Sequence, residues 1–414
     1  MSTNTAIKIP ENLPQEVSTA WLKTLELAKE REVPKDVQKN IETYYKNFDQ
    51  KYTEALIEHV ISPMSDYYYR PVFVGFDEQE ERNNPERPLI YYSNHSGMAF
   101  PWDGMIFLAE IFRQFGFQKK SIRPLVAPML SQSALMNPFG AYNLWKKVGG
   151  IDATTLNFET MMNCNDYNIM VYPEGVPGIG KGFNRKYEAQ RFSTSFIRMA
   201  LKYKTDIIPF ATVNGEYINP HTYSIPWVNK LVNKIGIPFL PMGIITALVP
   251  IFPWLFYTGF PAKMTYVKGE RINPSELLDK PSEEATQEDV VRIRDYVRDK
   301  FQKLLDESVE KYGQKPFNWK DLRAANKGKE KRGSKIRFFP YLTPIGWPML
   351  FSEFDRKYRK YEQEGRKGKF TLRMRRRDFF PLLFRNLITI SYFIPVLGWI
   401  PLAIRGYSKP KGEK

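Results

Sequence analysis

The sequence predicts an α/β domain with a central mixed or largely parallel sheet flanked by helices. Short apolar runs typical of buried strands recur at 89–93, 168–173, 206–213 and 262–267. Stretches with helical periodicity lie between them, at 101–115, 154–163 and 189–204. Alternation of this kind indicates strands that are connected by helices. Polar residues directly follow the first two runs, at the sheet edge where open α/β sheets hold their ligands.

Helical patterns precede this alternation. Apolar residues recur at helical spacing from Val17 through Leu25, and again from Val37 through about Ile61, and each pattern follows a proline. Stripes of this kind predict two amphipathic helices that pack on a larger body.

A long helix is predicted to close the alternating region. Thr286 and Asp289 stand at the spacing of a capping box, and the apolar stripe that follows ends near Gly313, a residue type that favours helix ends. These boundaries divide the chain into three predicted regions: an N-terminal helical region, 1–69, an α/β domain, 70–313, and a basic C-terminal extension, 314–414.

Composition narrows the class of protein. The chain has 414 residues, 43% of them hydrophobic and 15% aromatic, which is enough apolar material for one large domain or two ordinary ones. A single cysteine, Cys164, excludes an intrachain disulfide and fits a reducing compartment. The start, MSTNTAIKIPENLPQEV, lacks a basic segment followed by an apolar run, so we expect no signal peptide.

The positive charge is concentrated in one segment. Residues 320–377 hold 19 Lys/Arg and 6 Asp/Glu, which gives +13 (19 − 6) of the net +16. A basic block suits nucleic acid or an anionic membrane surface equally well. This block shows no nucleic-acid-binding motif, and an apolar run follows it at 379–404. We therefore predict a membrane surface with anionic lipid as the partner, and no nucleic acid.

Two apolar runs have the length of a membrane span but are interrupted by prolines. Residues 235–262 carry no charge and contain five prolines, while residues 379–404 contain three prolines and Arg385. Proline interrupts a continuous helix, so the first run is not expected to cross a bilayer as one helix, and for the second run a spanning helix is the lesser alternative. The first run is predicted to line a pocket for an apolar chain, to dip into one leaflet or to be buried in the core. The second is predicted to lie in the membrane interface or to form a re-entrant hairpin.

The stretch YYSNHSGMAFPWDGM holds a candidate pair of catalytic side chains. His95 follows a predicted strand, and Pro101 favours the first turn of the next helix, which brings Asp103 into that turn. Gly97 and Pro101 indicate that 96–100 is a loop. A looped connection allows the carboxylate to fold back on the imidazole and to fix its tautomer. A histidine in this position can also be purely structural.

A second candidate stretch is VYPEGVPGIGKGFNRKY, at 171–187. A strand leads into Glu174 and Gly175, and a glycine-rich basic loop follows. Exposed backbone N–H groups in such a loop, with Lys181 and Arg185 nearby, suit an anionic group such as phosphate. A flexible surface loop with solvated charges is the alternative.

Four blocks in this order resemble the glycerolipid (lysophospholipid) acyltransferases. They are Asn94-His95 with Asp103, then KKVGGIDA (146–153), YPEG (172–175) and IIPFA (207–211). The resemblance covers roughly residues 85–270 and implies a single domain of that fold. The family block has four residues between histidine and aspartate, whereas here there are seven, so we expect the connection to bulge.

The resemblance implies an activity and residue roles. His95 would be the general base on an acceptor hydroxyl, and Asp103 would orient it. Glu174 and Gly175 would help to bind the acceptor, and Lys181 and Arg185 would contact its phosphate. The acceptor would be a lysophospholipid such as 1-acylglycerol-3-phosphate, and the donor acyl-CoA or an acyl-carrier protein. No cofactor or metal is expected.

The sequence leaves other functions open. The chain is predicted to act at a membrane, on its cytoplasmic face. A non-catalytic lipid-binding or scaffold protein that retains the fold is the main alternative, and it would tolerate the loss of His95.

Overall fold

Seven strands form the central sheet of the computed structural model, which describes residues 15–117, 121–132, 136–141, 143–233, 240–243, 245–327, 336 and 338–401. The strands of this sheet are β1 (Val72–Val74), β2 (Ile90–Tyr92), β3 (Ile122–Val126), β4 (Ile151–Asp152), β5 (Asn168–Val171), β6 (Ile207–Val213) and β9 (Thr265–Lys268). A separate pair consists of β7 (Tyr223–Ser224) and β8 (Pro241–Met242).

The sheet is mixed and mostly parallel. Its order is β1-β9-β6-β2-β5-β3-β4, and every neighbouring pair is parallel except β6 and β9. β2 lies at the centre between β5 and β6, and Tyr92 at its end pairs with Val171 of β5 and Pro209 of β6. The predicted α/β fold with a mixed, largely parallel sheet is confirmed.

Helices cover the sheet, and others precede and follow it along the described part of the chain. The α-helices are α1 (Gln15–Glu30), α2 (Lys35–Lys46), α3 (Gln50–Leu56), α4 (Ser62–Met64), α5 (Trp102–Gln114), α6 (Pro128–Gln132), α7 (Leu144–Lys147), α8 (Thr155–Asn163), α9 (Val176–Ile179), α10 (Ser195–Tyr203), α11 (Pro226–Asn233), α12 (Gln287–Tyr312), α13 (Trp319–Lys327), α14 (Trp347–Gln363), α15 (Phe379–Arg385) and α16 (Ile388–Ser391). Two π-helical segments, Ile57–Ile61 and Ser65–Tyr69, lie on either side of α4.

Most predicted helices occur close to their expected bounds. The capping box of Thr286 and Asp289 is present, and the N–H of Gly313 at the other end of α12 donates to Val309 O. The second N-terminal pattern is interrupted after α2, because the Asp49 side chain accepts the N–H of Tyr52 and starts a new helix. α10 begins later than predicted, because the N–H groups of Gln190 and Ser193 before it are bonded to Glu174 Oε1 and Pro173 O in the loop after β5.

One hydrophobic core unites residues from all three predicted regions, whose boundaries stay a prediction. Trp102, at the start of α5, is fully buried and touches aromatic rings from both other regions. Its ring centroid lies 5.8 Å from that of Tyr69 and 5.2 Å from that of Trp347. Its indole N–H donates to Tyr257 O at 2.9 Å. The C-terminal region is therefore packed against the helix that carries Asp103.

The two apolar runs meet in the structure, although parts of each lie outside the described residues. The described part of 235–262 forms short 3₁₀ turns, Thr246–Leu248 and Pro253–Tyr257, as its prolines predict. Val396 N–H donates to Ile251 O at 2.8 Å, and the Trp399 indole donates to Pro250 O at 3.0 Å. Within the described ranges, no helix combines the length and apolar character that crossing a bilayer requires.

Candidate functional site

The ends of β2 and β5 bring the candidate residues together. The parallel register pairs Tyr92 with Val171, and the same offset continues past the strands to His95 and Glu174. The backbone N–H of His95 donates to Glu174 Oε2 at 2.9 Å. Asn94 joins the third strand, because its side chain exchanges two hydrogen bonds with the backbone of Thr212 in β6.

His95 and Asp103 form the pair that the sequence predicts. His95 Nδ1 lies 2.8 Å from Asp103 Oδ2. A carboxylate can only accept, so Nδ1 carries the proton and Nε2 of the neutral ring is a free base. Asp103 is fully buried, whereas the His95 side chain is 13% exposed, so an edge of the imidazole reaches the surface.

The bulged connection is what allows this contact. Gly97 has φ = +110° and Met98 has φ = +64°, which reverses the chain before Pro101 caps α5. Positive φ suits Gly97 because the residue has no Cβ. Asn219 Nδ2 donates to Gly97 O at 2.7 Å and fixes the turn. The extra residues therefore lengthen the connection without separating the pair.

Asp103 is held by more than the imidazole. Oδ2 also accepts the N–H of Ser96 at 2.9 Å, and the Tyr266 hydroxyl donates to the backbone O of Asp103 at 2.8 Å. Among the described residues, Oδ1 is buried without a hydrogen-bond partner. The N–H of Ser96, in the turn directly after His95, is therefore committed to Asp103 and unavailable to a ligand.

Tyr172 is a site residue that the sequence reasoning did not single out. Its ring stacks on the imidazole of His95 with centroids 4.0 Å apart and an interplanar angle of 10°. Gly104 of α5 makes room for it, since a Cβ there would come within 3.0 Å of the Tyr172 hydroxyl. Its position at the end of β5, directly before Pro-Glu-Gly, was the available signal.

Glu174 is buried and organises two loops. Oε2 accepts the N–H of His95, and Oε1 accepts the N–H of Gln190 at 2.6 Å. Gly178 packs directly on it, because a Cβ there would lie 2.4 Å from Oε2. Burial raises the pKa of the Glu174 carboxyl, while the Lys181 ammonium and the two N–H donors act in the opposite direction. Both oxygens are occupied by the protein itself.

The glycine loop does not present the free N–H groups that the sequence predicts. The N–H groups of Gly175, Gly178 and Gly180 bond to backbone oxygens, and that of Gly182 bonds to Met98 Sδ at 3.3 Å. Gly175 starts the short helix α9, which takes up the N–H groups of Gly178 and Gly180, while the N–H of Gly175 closes a turn onto Tyr172 O. The prediction of exposed donors is therefore wrong, because the loop folds into turns of its own.

The two basic residues of this loop differ in burial. Lys181 Nζ is fully buried, 3.2 Å from Glu216 Oε1, and also bonds to Glu188 O at 3.3 Å. Arg185 lies at the surface in a two-bond pair with Glu188, at 3.0 and 2.6 Å. This pairing raises the pKa of Arg185 and lowers that of Glu188. The predicted phosphate contact of these two residues gains no support from this arrangement.

Lys181→Met is expected to lower the free energy of unfolding by about 3–5 kcal/mol, because it leaves Glu216 buried without its cation. Arg185→Gln, which breaks an exposed pair, is expected to cost less than about 1 kcal/mol. Urea denaturation of both variants measures the difference. If Lys181→Met instead keeps its stability but raises KM for a phosphate-bearing acceptor, the role predicted from the sequence is correct.

Comparisons with known proteins give distant similarities. No family model matches the chain. It is 24% identical to an uncharacterised protein of Mycobacterium leprae over 262 residues, which covers 62% of this chain and 65% of the relative's length. An uncharacterised protein of Mycobacterium tuberculosis is 23% identical over 259 residues, covering 62% of this chain and 67% of that protein.

Among solved structures, the chain matches the 1-acyl-sn-glycerophosphate acyltransferase of Thermotoga maritima. The match has 12% sequence identity and a TM-score of 0.32, and covers 69% of this chain and 97% of that one. Membership of the acyltransferase family stays a prediction from the four sequence blocks.

Proposed function

We propose that this protein is an O-acyltransferase that transfers a fatty acyl group from a thioester to the hydroxyl of a glycerolipid-type acceptor. The donor is acyl-CoA or an acyl-carrier protein, and the acceptor is a lysophospholipid such as 1-acylglycerol-3-phosphate. The 2.8 Å contact between His95 Nδ1 and Asp103 Oδ2 carries this proposal, because it leaves Nε2 as a free base at the sheet edge. The four sequence blocks supply the reaction class.

His95 acts as base and then as acid in this reaction. Nε2 takes the acceptor's hydroxyl proton as the oxygen attacks the thioester carbonyl carbon, and a C–O bond forms. The carbonyl electron pair moves onto its oxygen and gives a tetrahedral oxyanion. When the C–S bond breaks, the departing thiolate takes the proton from the imidazolium. The products are an ester and a free thiol, without an acyl-enzyme.

Two side chains contact the imidazole ring of His95 and can act on it during the reaction. The Asp103 carboxylate pairs with the imidazolium that forms during the reaction, and the face of the Tyr172 ring adds a cation–π attraction. The N–H of Gly97 has no acceptor among the described residues, which makes it a candidate donor to the oxyanion in this turn. Glu174 serves as a positioning residue, since it fixes the backbone of His95.

The proposed substrates are amphiphilic, and an apolar surface fits this. Large apolar side chains of the C-terminal run are exposed, among them Phe380, Phe384, Leu387, Val396 and Leu397; these five residues are termed the leaflet face. Basic residues Arg373, Arg376 and Arg377 precede them and are exposed. An exposed apolar patch with basic neighbours suits an anionic membrane surface, on the cytoplasmic face in this proposal.

Product identification tests the proposal. The purified full-length protein is incubated with acyl-labelled CoA and, separately, acyl-carrier protein, together with lysophospholipids and simple alcohols. We expect the label to appear in an ester of one acceptor class, with one thiol released per ester formed. Thiol release that needs no acceptor would indicate a thioester hydrolase. Absence of product with both donors would contradict the proposal.

A further inference from the structure

A basic pocket lies next to the leaflet face, and neither residue of the catalytic pair lines it. It has a volume of about 310 Å³ and is formed by α14 and the α15–α16 connection. Three arginines line it, Arg356, Arg359 and Arg385, with Leu387 and Ile388 as an apolar wall. This volume is several times the roughly 30 Å³ that one water molecule occupies in the liquid. It is therefore large enough for a phosphate group with part of its glycerol.

The charges in this pocket are not fully balanced. Arg356 donates to both oxygens of buried Glu353 through Nε and Nη2, at 2.9 and 2.7 Å, and Arg359 pairs with Asp355 at 2.7 Å. Arg385 has no carboxylate partner in the part of the chain that the structure describes. Three guanidinium groups therefore face two carboxylates, and the remaining positive charge belongs to Arg385.

A buried hydroxyl points to a ligand as well. Ser352 lines the same pocket and is 3% exposed, and its Oγ has no hydrogen-bond partner among the described residues. A buried polar atom without a partner is costly, and native proteins rarely leave one unless a ligand or water completes it. The Arg356 bonds to Glu353 use Nε and Nη2, which leaves Nη1 for a ligand. The pocket therefore brings together unused hydrogen-bond donors and one net positive charge.

The apolar wall decides between a lipid and a soluble anion. Leu387 belongs both to the pocket lining and to the leaflet face, and the neighbouring Phe384 is 73% exposed. A soluble phosphate would fill the basic part and leave these side chains in water. A phospholipid in a bilayer satisfies both, because its phosphate lies at the interface and its acyl chains lie directly below.

We propose that this pocket binds the phosphate of an anionic phospholipid while Phe384 and Leu387 enter the acyl-chain region beside it. Arg385 supplies the uncompensated charge, Ser352 and Arg356 supply neutral and charged donors, and the leaflet face supplies the apolar contact. The proposal extends the membrane association proposed above, and it does not depend on acyl transfer.

Vesicle sedimentation of the full-length protein without an acyl donor tests the pocket. Arg385→Gln is expected to weaken binding to phosphatidylcholine vesicles containing phosphatidic acid by about ten- to a hundredfold, because it removes a charge-assisted hydrogen bond. Arg376→Gln is the matched control, since it removes an equally exposed charge outside the pocket; its expected loss is about fivefold or less. Arg385→Lys should fall between the wild type and Arg385→Gln.

Two further arms identify the occupant. On pure phosphatidylcholine vesicles, Phe384→Ser is expected to weaken binding and Arg385→Gln is not. If Arg376→Gln and Arg385→Gln weaken binding to vesicles containing phosphatidic acid equally, the attraction is diffuse and the proposal of a specific pocket is wrong. Calorimetric titration with inorganic phosphate alone is expected to show no binding that depends on Arg385; such binding would assign the pocket to a soluble anion. Since no turnover is measured, these outcomes are independent of the catalytic proposal.

Discussion

His95→Ala is expected to lower kcat for acyl transfer by about 10²–10⁴-fold, because the variant has no base for the acceptor hydroxyl and no acid for the thiolate. The variant is expected to remain folded. The contact that ties this position to Glu174 comes from the backbone N–H, which alanine retains. Initial rates with labelled acyl-CoA, and the thermal midpoint of both proteins, measure the two effects.

His221→Ala is the matched control for this experiment. His221 is exposed, and the ring that the structure places against it is that of Phe183 rather than a carboxylate. Its loss is expected to leave kcat within about twofold, because the side chain is exposed and makes no hydrogen bond to His95 or Asp103 among the described residues. If His95→Ala keeps full turnover, either another base acts or the protein is the lipid-binding scaffold that the sequence left open.

Asp103→Asn is expected to lower kcat by about a hundredfold or more with a small change in KM. The neutral amide cannot stabilise the imidazolium by charge, and if its NH₂ turns towards Nδ1 it also imposes the wrong tautomer. In the orientation that keeps the amide oxygen at the position of Oδ2, this oxygen still accepts the N–H of Ser96, so the bulged connection is expected to survive. Measuring kcat and KM separately identifies an interaction made in the transition state.

Asp66→Asn serves as the control for this substitution. Asp66 carries the same charge and pairs with Arg113 of α5 at 3.0 Å near the surface, away from the imidazole. We expect kcat within about twofold of the wild type, because an exposed pair contributes little. An unchanged kcat in Asp103→Asn would mean that the 2.8 Å contact positions a structural histidine rather than a base.

The sequence predicts the centre of the fold and the His95–Asp103 contact because both depend on local patterns. β2, β5 and β6 are apolar runs that need burial on two faces. Glycine and proline mark the loop that connects β2 to α5 and carries the pair together. Strands further from the centre of the sheet are harder to predict. β1 has three residues, and β3 contains Arg123 and Pro124, so neither shows the usual strand pattern.

Which charged side chains are buried could not be predicted from the sequence. Lys181 and Arg185 stand four residues apart in one basic loop, yet the first is enclosed with Glu216 and the second lies in water. The partner that decides this, Glu216, is far along the chain and carries no motif. Glu174 is similar, because its donors come from two loops whose approach depends on the whole sheet.

The contact between Trp102 and Trp347 has a consequence for how the molecule would sit on a bilayer. Trp347 opens α14, whose later residues line the arginine pocket, and Trp102 is the neighbour of Asp103. If the lipid-binding pocket were joined to the catalytic residues by a flexible linker, the height and angle of the imidazole above the bilayer would vary. Here a rigid aromatic joint connects the two, so the depth and angle of the imidazole above the headgroups would be built into the fold.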